Sequence, residues 1–192
     1  NQYLRALIFQ LYEKNGVIKR NEIDKIVKLI PSEDRKKLWG MGIKIGRYHV
    51  YLPKMLKPKA VEFRVSLWKI FQNQSSKDEI PKFGLNFIIN KNYDKDFLLL
   101  CGFEKFKDYY VRIDILEKLF IKIIENTKNR KFKVNSDMMN LLGCTKENFY
   151  KLMTYMNYYK DKSDDIYVFK GEKRKTDKFI KFDKKENPFK KL

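Results

Sequence analysis

Apolar residues fall at helical spacing from the start of the chain. Leu4, Leu7, Ile8, Leu11 and Tyr12 share one face of a helix expected over 2–15, and Gly16 is placed to end it. Residues 17–20 read as a short extended piece. Asn21 is a candidate N-cap for a second helix carrying Ile23, Ile26, Val27 and Ile30, which Pro31 stops. Ser32 is placed to cap a third helix over 33–41, with acids in its first turn. Two short strands, 43–45 and 48–52, are then joined at Gly46-Arg47, a hairpin signal.

Pro58 suits the first turn of a fourth helix, with Val61, Val65, Trp68 and Phe71 inward. The polar stretch 73–82 contains a proline and reads as a linker. A short apolar segment follows at 83–89, then a helix over 93–101 closed by Gly102, and extended pieces near Phe103 and over 109–112. From Ile113 the earlier order returns. A helix places Ile113, Leu116, Leu119, Phe120, Ile123 and Ile124 inward. A strand over 131–134, a short helix ending at Gly143, a helix capped by Thr145 and a hairpin over 158–170 complete it. Helix, strand, helix, helix, strand, turn, strand is the winged-helix arrangement. The expected fold is therefore α+β, mainly helical, with two winged-helix-like units joined by a helix and linker. The boundaries are 1–72, 73–82, 83–171 and a Lys-rich tail, 172–192, expected to be flexible. The two halves share a pattern and no sequence identity.

Composition sharpens this picture. The 192 residues have 43% hydrophobic and 15% aromatic side chains, enough to bury a core, which excludes wholesale disorder. No apolar run reaches the roughly 18–20 residues a bilayer span needs, so no membrane segment is expected. The chain starts Asn1-Gln2-Tyr3 with neither an initiator Met nor a charged-then-apolar leader. That start reads as a piece cut from something longer. Cys101 and Cys144 stand alone, which points to two thiols in a reducing cytoplasm rather than a disulfide framework or zinc site.

The net charge is +19, and 35 lysines against 8 arginines with two alanines show an AT-rich codon bias behind part of it. Its distribution carries more information. Residues 61–169 are nearly balanced, and the excess lies at the two ends. The run from Arg35 to Lys59 holds eight basic residues and no acid. Asp and Glu codons are themselves AT-tolerant, so bias does not explain that gap.

Candidate catalytic groups are few. His49, the single histidine, has no acid or nucleophile beside it in sequence and reads as a packing or surface residue. Gly40, Gly42 and Gly46 have the wrong spacing for a phosphate loop and open no helix, and no G-x-x-x-x-G-K-[ST] occurs. Asp78-Glu79-Ile80-Pro81 sits in the polar linker and lacks the last residue of an ATPase acidic box. The chain alone is read as having no enzymatic activity, no cofactor and no metal. The binding candidates are stronger: Arg35, Lys36 and Lys37 on the third helix, Lys44, Arg47 and Tyr48 on the hairpin, and Lys54, Lys57 and Lys59 beyond it. Such a surface neutralises phosphates, and Tyr48 or Tyr51 would stack on a base. The blander reading makes these lysines the solvated faces of small elements.

The stretch Met41-Gly42-Ile43-Lys44-Ile45-Gly46, followed by Tyr51-Leu52-Pro53-Lys54-Met55-Leu56-Lys57-Pro58, adds a resemblance. So do Gly102-Phe103, Val111-Arg112-Ile113-Asp114-Ile115-Leu116-Glu117, Asp137-Met138-Met139-Asn140-Leu141-Leu142-Gly143-Cys144-Thr145, and the closing Asn187-Pro188-Phe189-Lys190-Lys191-Leu192. In that order they resemble the region C-terminal to the motor in bacterial superfamily-2 DExH/DEAD-box-type helicases related to the mitochondrial RNA-degradosome helicase. The resemblance spans most of the chain, but the two RecA-like motor domains are absent. It implies a parent ATP-dependent helicase whose missing motor holds ATP and Mg. The partners it implies are RNA or DNA, read here as single-stranded, and the motor domains in cis, with a partner nuclease left open. The alternatives are a free-standing winged-helix regulator or a protein-interaction module.

Overall fold

The computed structural model describes residues 1–71, 78–89, 93–161 and 165–169. The first half of the expected linker (73–77), part of the last hairpin turn and the Lys-rich tail lie outside the described residues. The fold is α+β with small antiparallel sheets.

The first unit begins with α1 (Gln2–Glu13), β1 (Val17–Lys19), α2 (Arg20–Leu29) and α3 (Ser32–Gly40), and ends with β2 (Lys44–Ile45) and β3 (His49–Tyr51). Its sheet order is β1-β3-β2. Leu7 and Leu11 from α1, Ile23 and Val27 from α2, Leu38 from α3 and Val50 from β3 form its core. Two cap expectations need correction. Neither Asn21 nor Ser32 caps a helix, because α2 starts one residue earlier and α3 starts at Ser32 behind Pro31. The hairpin does the capping of α2 instead: the Arg20 N–H donates to the Tyr48 carbonyl at 2.8 Å.

A 3-10 turn (Pro53–Leu56) leads into α4 (Pro58–Phe71). This helix buries Val61 and Val65 against Phe97 and Leu98 of α5 (Lys95–Leu100) and against Tyr110. It therefore packs on the segment beyond the expected linker. There β4 (Phe87–Ile89), β5 (Phe103–Phe106) and β6 (Tyr109–Arg112) form a sheet of order β4-β6-β5. Asp94, which the apolar pattern does not single out, caps α5 by accepting from the Phe97 N–H at 2.7 Å.

The second unit comprises α6 (Ile113–Glu125), β7 (Thr127–Lys128), β8 (Lys131–Lys133), α7 (Ser136–Leu142), α8 (Lys146–Tyr155), β9 (Tyr158–Lys160) and β10 (Ile166–Phe169). Its sheet order is β7-β8-β10-β9. Leaving aside the added β7, the succession helix, strand, helix, helix, strand, strand repeats the first unit, and β8-β10-β9 repeats the strand order β1-β3-β2. Thr145 caps α8 as expected, and Gly143 ends α7 in the left-handed region at φ 66°.

Three expected inward residues face solvent: Tyr12, Phe71 and Ile124. On α6 the buried set shifts to include Ile115 and Glu117. The helix is covered on two sides, by its own unit and by the hairpin of the first, so a one-faced pattern describes it poorly.

Candidate nucleic-acid interface

The β2–β3 hairpin does not project freely; its tip is held by α6. Glu117 accepts three backbone hydrogen bonds from successive residues: Arg47 N–H at 2.7 Å, Tyr48 N–H at 2.8 Å and His49 N–H at 2.9 Å. Three converging amides form a small anion-binding nest, here filled by a carboxylate from the chain itself. Gly46 leaves room for it, because a Cβ at that position would collide with the Glu117 carboxyl group. This is no phosphate loop, since the space a phosphate would need is occupied by a negative charge.

His49 is buried between two acids that sequence proximity does not reveal. Its Nε2 lies 2.9 Å from Glu104 Oε2, and its Nδ1 lies 3.6 Å from Glu117 Oε1. Lys19, directly opposite His49 in the β1–β3 register, pairs with the other oxygen of Glu104. Burial alone would lower the imidazole pKa. The hydrogen bond to Glu104 and the neighbouring Glu117 charge outweigh it, and the net direction is upward from 6.5. Burial likewise pushes Glu104 up, but His49 and Lys19 bring it below its ordinary 4.5.

A second joint involves a charge with no acidic partner among the described residues. Arg64 of α4 is buried and donates to the Asn15 carbonyl beyond α1 at 2.6 Å and to the Leu100 carbonyl ending α5 at 2.7 Å. Burial lowers its pKa. Both acceptors sit at helix C-termini, where orphan carbonyls and the helix dipole favour a cation. Close by, Gly102, at φ 90°, admits Leu56, whose side chain a Cβ there would meet.

The nine binding candidates divide under this geometry. Lys36, Lys44, Arg47, Lys54, Lys57 and Lys59 are exposed and make no ion pair among the described residues. Arg35 is committed elsewhere: its guanidinium donates to the Ile30 and Val27 carbonyls, both at 3.0 Å, and so closes the end of α2. Lys37 pairs with Asp34 at 3.1 Å.

Tyr48 is not free to stack on a base. Its ring meets Phe120 edge-on at 5.7 Å, and burial beside Tyr158 pushes its phenol well above 10. Tyr51 is likewise buried, against Val17 and Ile113, with its phenol pushed up to about 12. Both rings are packed inside because the hairpin lies against α6, about 70 residues further along, and local pattern does not encode that. Glu117 does carry a signal: it is an acid inside the apolar stripe 113, 116, 117, 120.

Among the described residues, no three or more His, Cys, Asp or Glu side chains gather as a metal site, and no helix is long and apolar enough to cross a membrane. Burial raises the Cys101 thiol to about 12 and the Cys144 thiol to about 11, which keeps both protonated and unreactive near neutrality. Comparison with protein-family models, with curated proteins and with solved structures gives no match.

Proposed function

We propose that this chain is the non-catalytic, nucleic-acid-binding and motor-bracing region of an ATP-dependent superfamily-2 helicase, built from two winged-helix-like units. It holds a single strand, RNA or DNA, electrostatically while a motor elsewhere in the parent hydrolyses ATP. The observation that carries this reading is the fate of the charges in and around the acid-free run. Six of its cations are exposed and bound to no acid or carbonyl among the described residues, while the two carboxylates that meet the hairpin are turned inward, Glu104 to Lys19 and His49 and Glu117 to backbone amides. Lys19 balances the charge of Glu104, while Glu117, held by neutral amides, keeps its charge under the hairpin tip and offsets the cationic field only there. The strand orders β1-β3-β2 and β8-β10-β9 support the winged-helix assignment. An apolar stripe on the outer side of α4 (Phe63, Leu67 and Ile70) supports the bracing role, because exposed apolar stripes of this kind are contact faces.

The test is a titration of fluorescent single-stranded RNA and DNA with the 192-residue chain at several salt concentrations. Binding should weaken steeply with salt, with a slope of roughly 0.7 per phosphate contact for single strands. Affinity independent of salt, or none at low salt, would reject the reading. The upstream reading frame gives an independent check: a Walker A lysine motif ahead of Asn1 is expected, and a start codon just before Asn1 would sink the helicase assignment.

A further inference from the structure

A cleft of about 590 Å³ opens where the first unit's hairpin meets the second unit. Its floor is Phe132 and Tyr158, both buried. Phe120, Ile124 and Phe169 form the apolar walls, and Ile124 and Phe169 are exposed. Arg47 reaches it from the hairpin turn, with its guanidinium 5.8 Å from the centre of the Phe120 ring. Arg130 reaches it from the turn between β7 and β8. No carboxylate lines it among the described residues.

Aromatic walls beside two guanidinium groups suit a planar ring carrying an anion. The remaining polar groups are already engaged. The Thr127 hydroxyl donates to the Ile123 carbonyl at 2.6 Å, and the Tyr158 phenol interacts with that of Tyr48. Among the described residues, the two arginines are therefore the side chains left to meet a polar ligand, and neither is set to read the edge of a base. We propose that the cleft is a stacking site for one nucleotide of the bound single strand, with the base against Phe169 and Phe120 and its phosphate toward Arg47 and Arg130. The site is indifferent to base identity. This rests on the nucleic-acid reading above and deepens it: the lysines supply salt-dependent attraction, and the cleft supplies contact with a base. Arg47 belongs to both.

The turn itself bears on the role of Arg130. Asn129 and Arg130 have φ 51° and 64°, the left-handed pair of a two-residue hairpin turn, whose second position favours glycine. An arginine there carries a backbone cost that glycine would relieve. Arg130→Gly thus removes the guanidinium without endangering the fold.

The experiment uses the full chain with a uniform oligouridine of about a dozen nucleotides carrying one 4-thiouridine, and a thymidine counterpart with 4-thiothymidine; the site size follows that of single-strand binders. Photocrosslinks should map to Phe120, Tyr158 or Phe169. Phe169→Ala should weaken binding about tenfold or more, at an unchanged salt slope, because it removes stacking and no charge. Arg130→Gly should lower the slope by roughly 0.7. If both variants bind like the original and the crosslinks fall outside the cleft, the cleft proposal is overturned and the wider nucleic-acid reading stands. If the original chain binds neither strand at low salt, both are overturned.

Discussion

His49 Nε2 lies 2.9 Å from Glu104 Oε2, and Lys19, the strand partner of His49, holds the other oxygen of the same carboxylate. The contact ties the first unit to the middle sheet, and both titrating members are shifted in ways that favour the charged pair. A histidine raised above 6.5 contributes stability that is complete below 6.5 and is lost as pH climbs through its folded value. A carboxyl depressed below 4.5 contributes above 4.5 and fails as pH falls through its folded value. The pair therefore stabilises most between about pH 4.5 and 6.5. Urea midpoints measured upward from that window should decline on the alkaline side. His49→Gln should lower the midpoint within the window and flatten the decline. An alkaline limb unchanged in that variant would show that another group governs it.

Glu117 and Gly46 form one device, and their substitutions should not add. Glu117→Ala strands three amides, each costing about 1–3 kcal/mol where water cannot replace the acceptor, so a loss of about 3 kcal/mol or more is expected. Gly46→Ala drives a methyl group into the carboxyl and forces it off the same amides. With Glu117 already alanine, that methyl meets nothing costly, and Gly46→Ala should be nearly neutral. A double-mutant cycle measured by urea unfolding reads the coupling directly. Additive losses would mean that the glycine serves only its own backbone.

Sequence periodicity reveals many of the elements but not how they join. The inward faces of α1 and α2, Pro58 at the start of α4 and the Gly143-then-Thr145 sequence between α7 and α8 are local chemistry, and they read correctly. Tyr12, Phe71 and Ile124 belong to apolar stripes yet face solvent, because a stripe marks a face without saying how far its neighbours extend. Tyr48, Tyr51 and His49 depend on α6, which lies far along the chain, so local pattern is blind to their burial. The motif stretches themselves turn out to be joints. Gly46 meets Glu117 and Gly102 meets Leu56, so spatial proximity links residues that the sequence presents as separate motifs. Of the candidate interface, the cationic run is legible, but its division into free and committed members is not.

Arg64 makes a prediction about shape as well as charge. Its fork reaches two carbonyls in different directions, Asn15 at 2.6 Å and Leu100 at 2.7 Å. A lysine ammonium at the end of a flexible stem cannot hold both in that planar geometry. Arg64→Lys should therefore destabilise by about 1–3 kcal/mol, the cost of one abandoned buried acceptor and a poorer bond to the other. Amide hydrogen exchange should quicken at the end of α1 and around Gly102 more than elsewhere. Uniform quickening, or none, would mean that α4 is held by Val61 and Val65 without the arginine.

The division among the cations can be measured directly. Arg35 closes α2 through two carbonyls, so Arg35→Ala should lower the urea midpoint, by about 1 kcal/mol for a lost cap, and leave the salt slope of strand binding unchanged. Lys36, Lys44, Lys54, Lys57 and Lys59 are exposed and make no ion pair among the described residues. Replacing these five with alanine should leave the urea midpoint within about 0.5 kcal/mol per site. It should also cut the slope by up to about 3.5, at roughly 0.7 for each phosphate no longer neutralised. Folding and binding are thus expected to separate cleanly between two sets of residues that adjoin in sequence. If Arg35→Ala flattens the slope as much as its lysine neighbours do, the guanidinium leaves its carbonyls to meet phosphate, and the end of α2 is part of the interface. If the five lysines change stability but not slope, the acid-free run is a solvated face, and the nucleic-acid reading loses the observation that carries it.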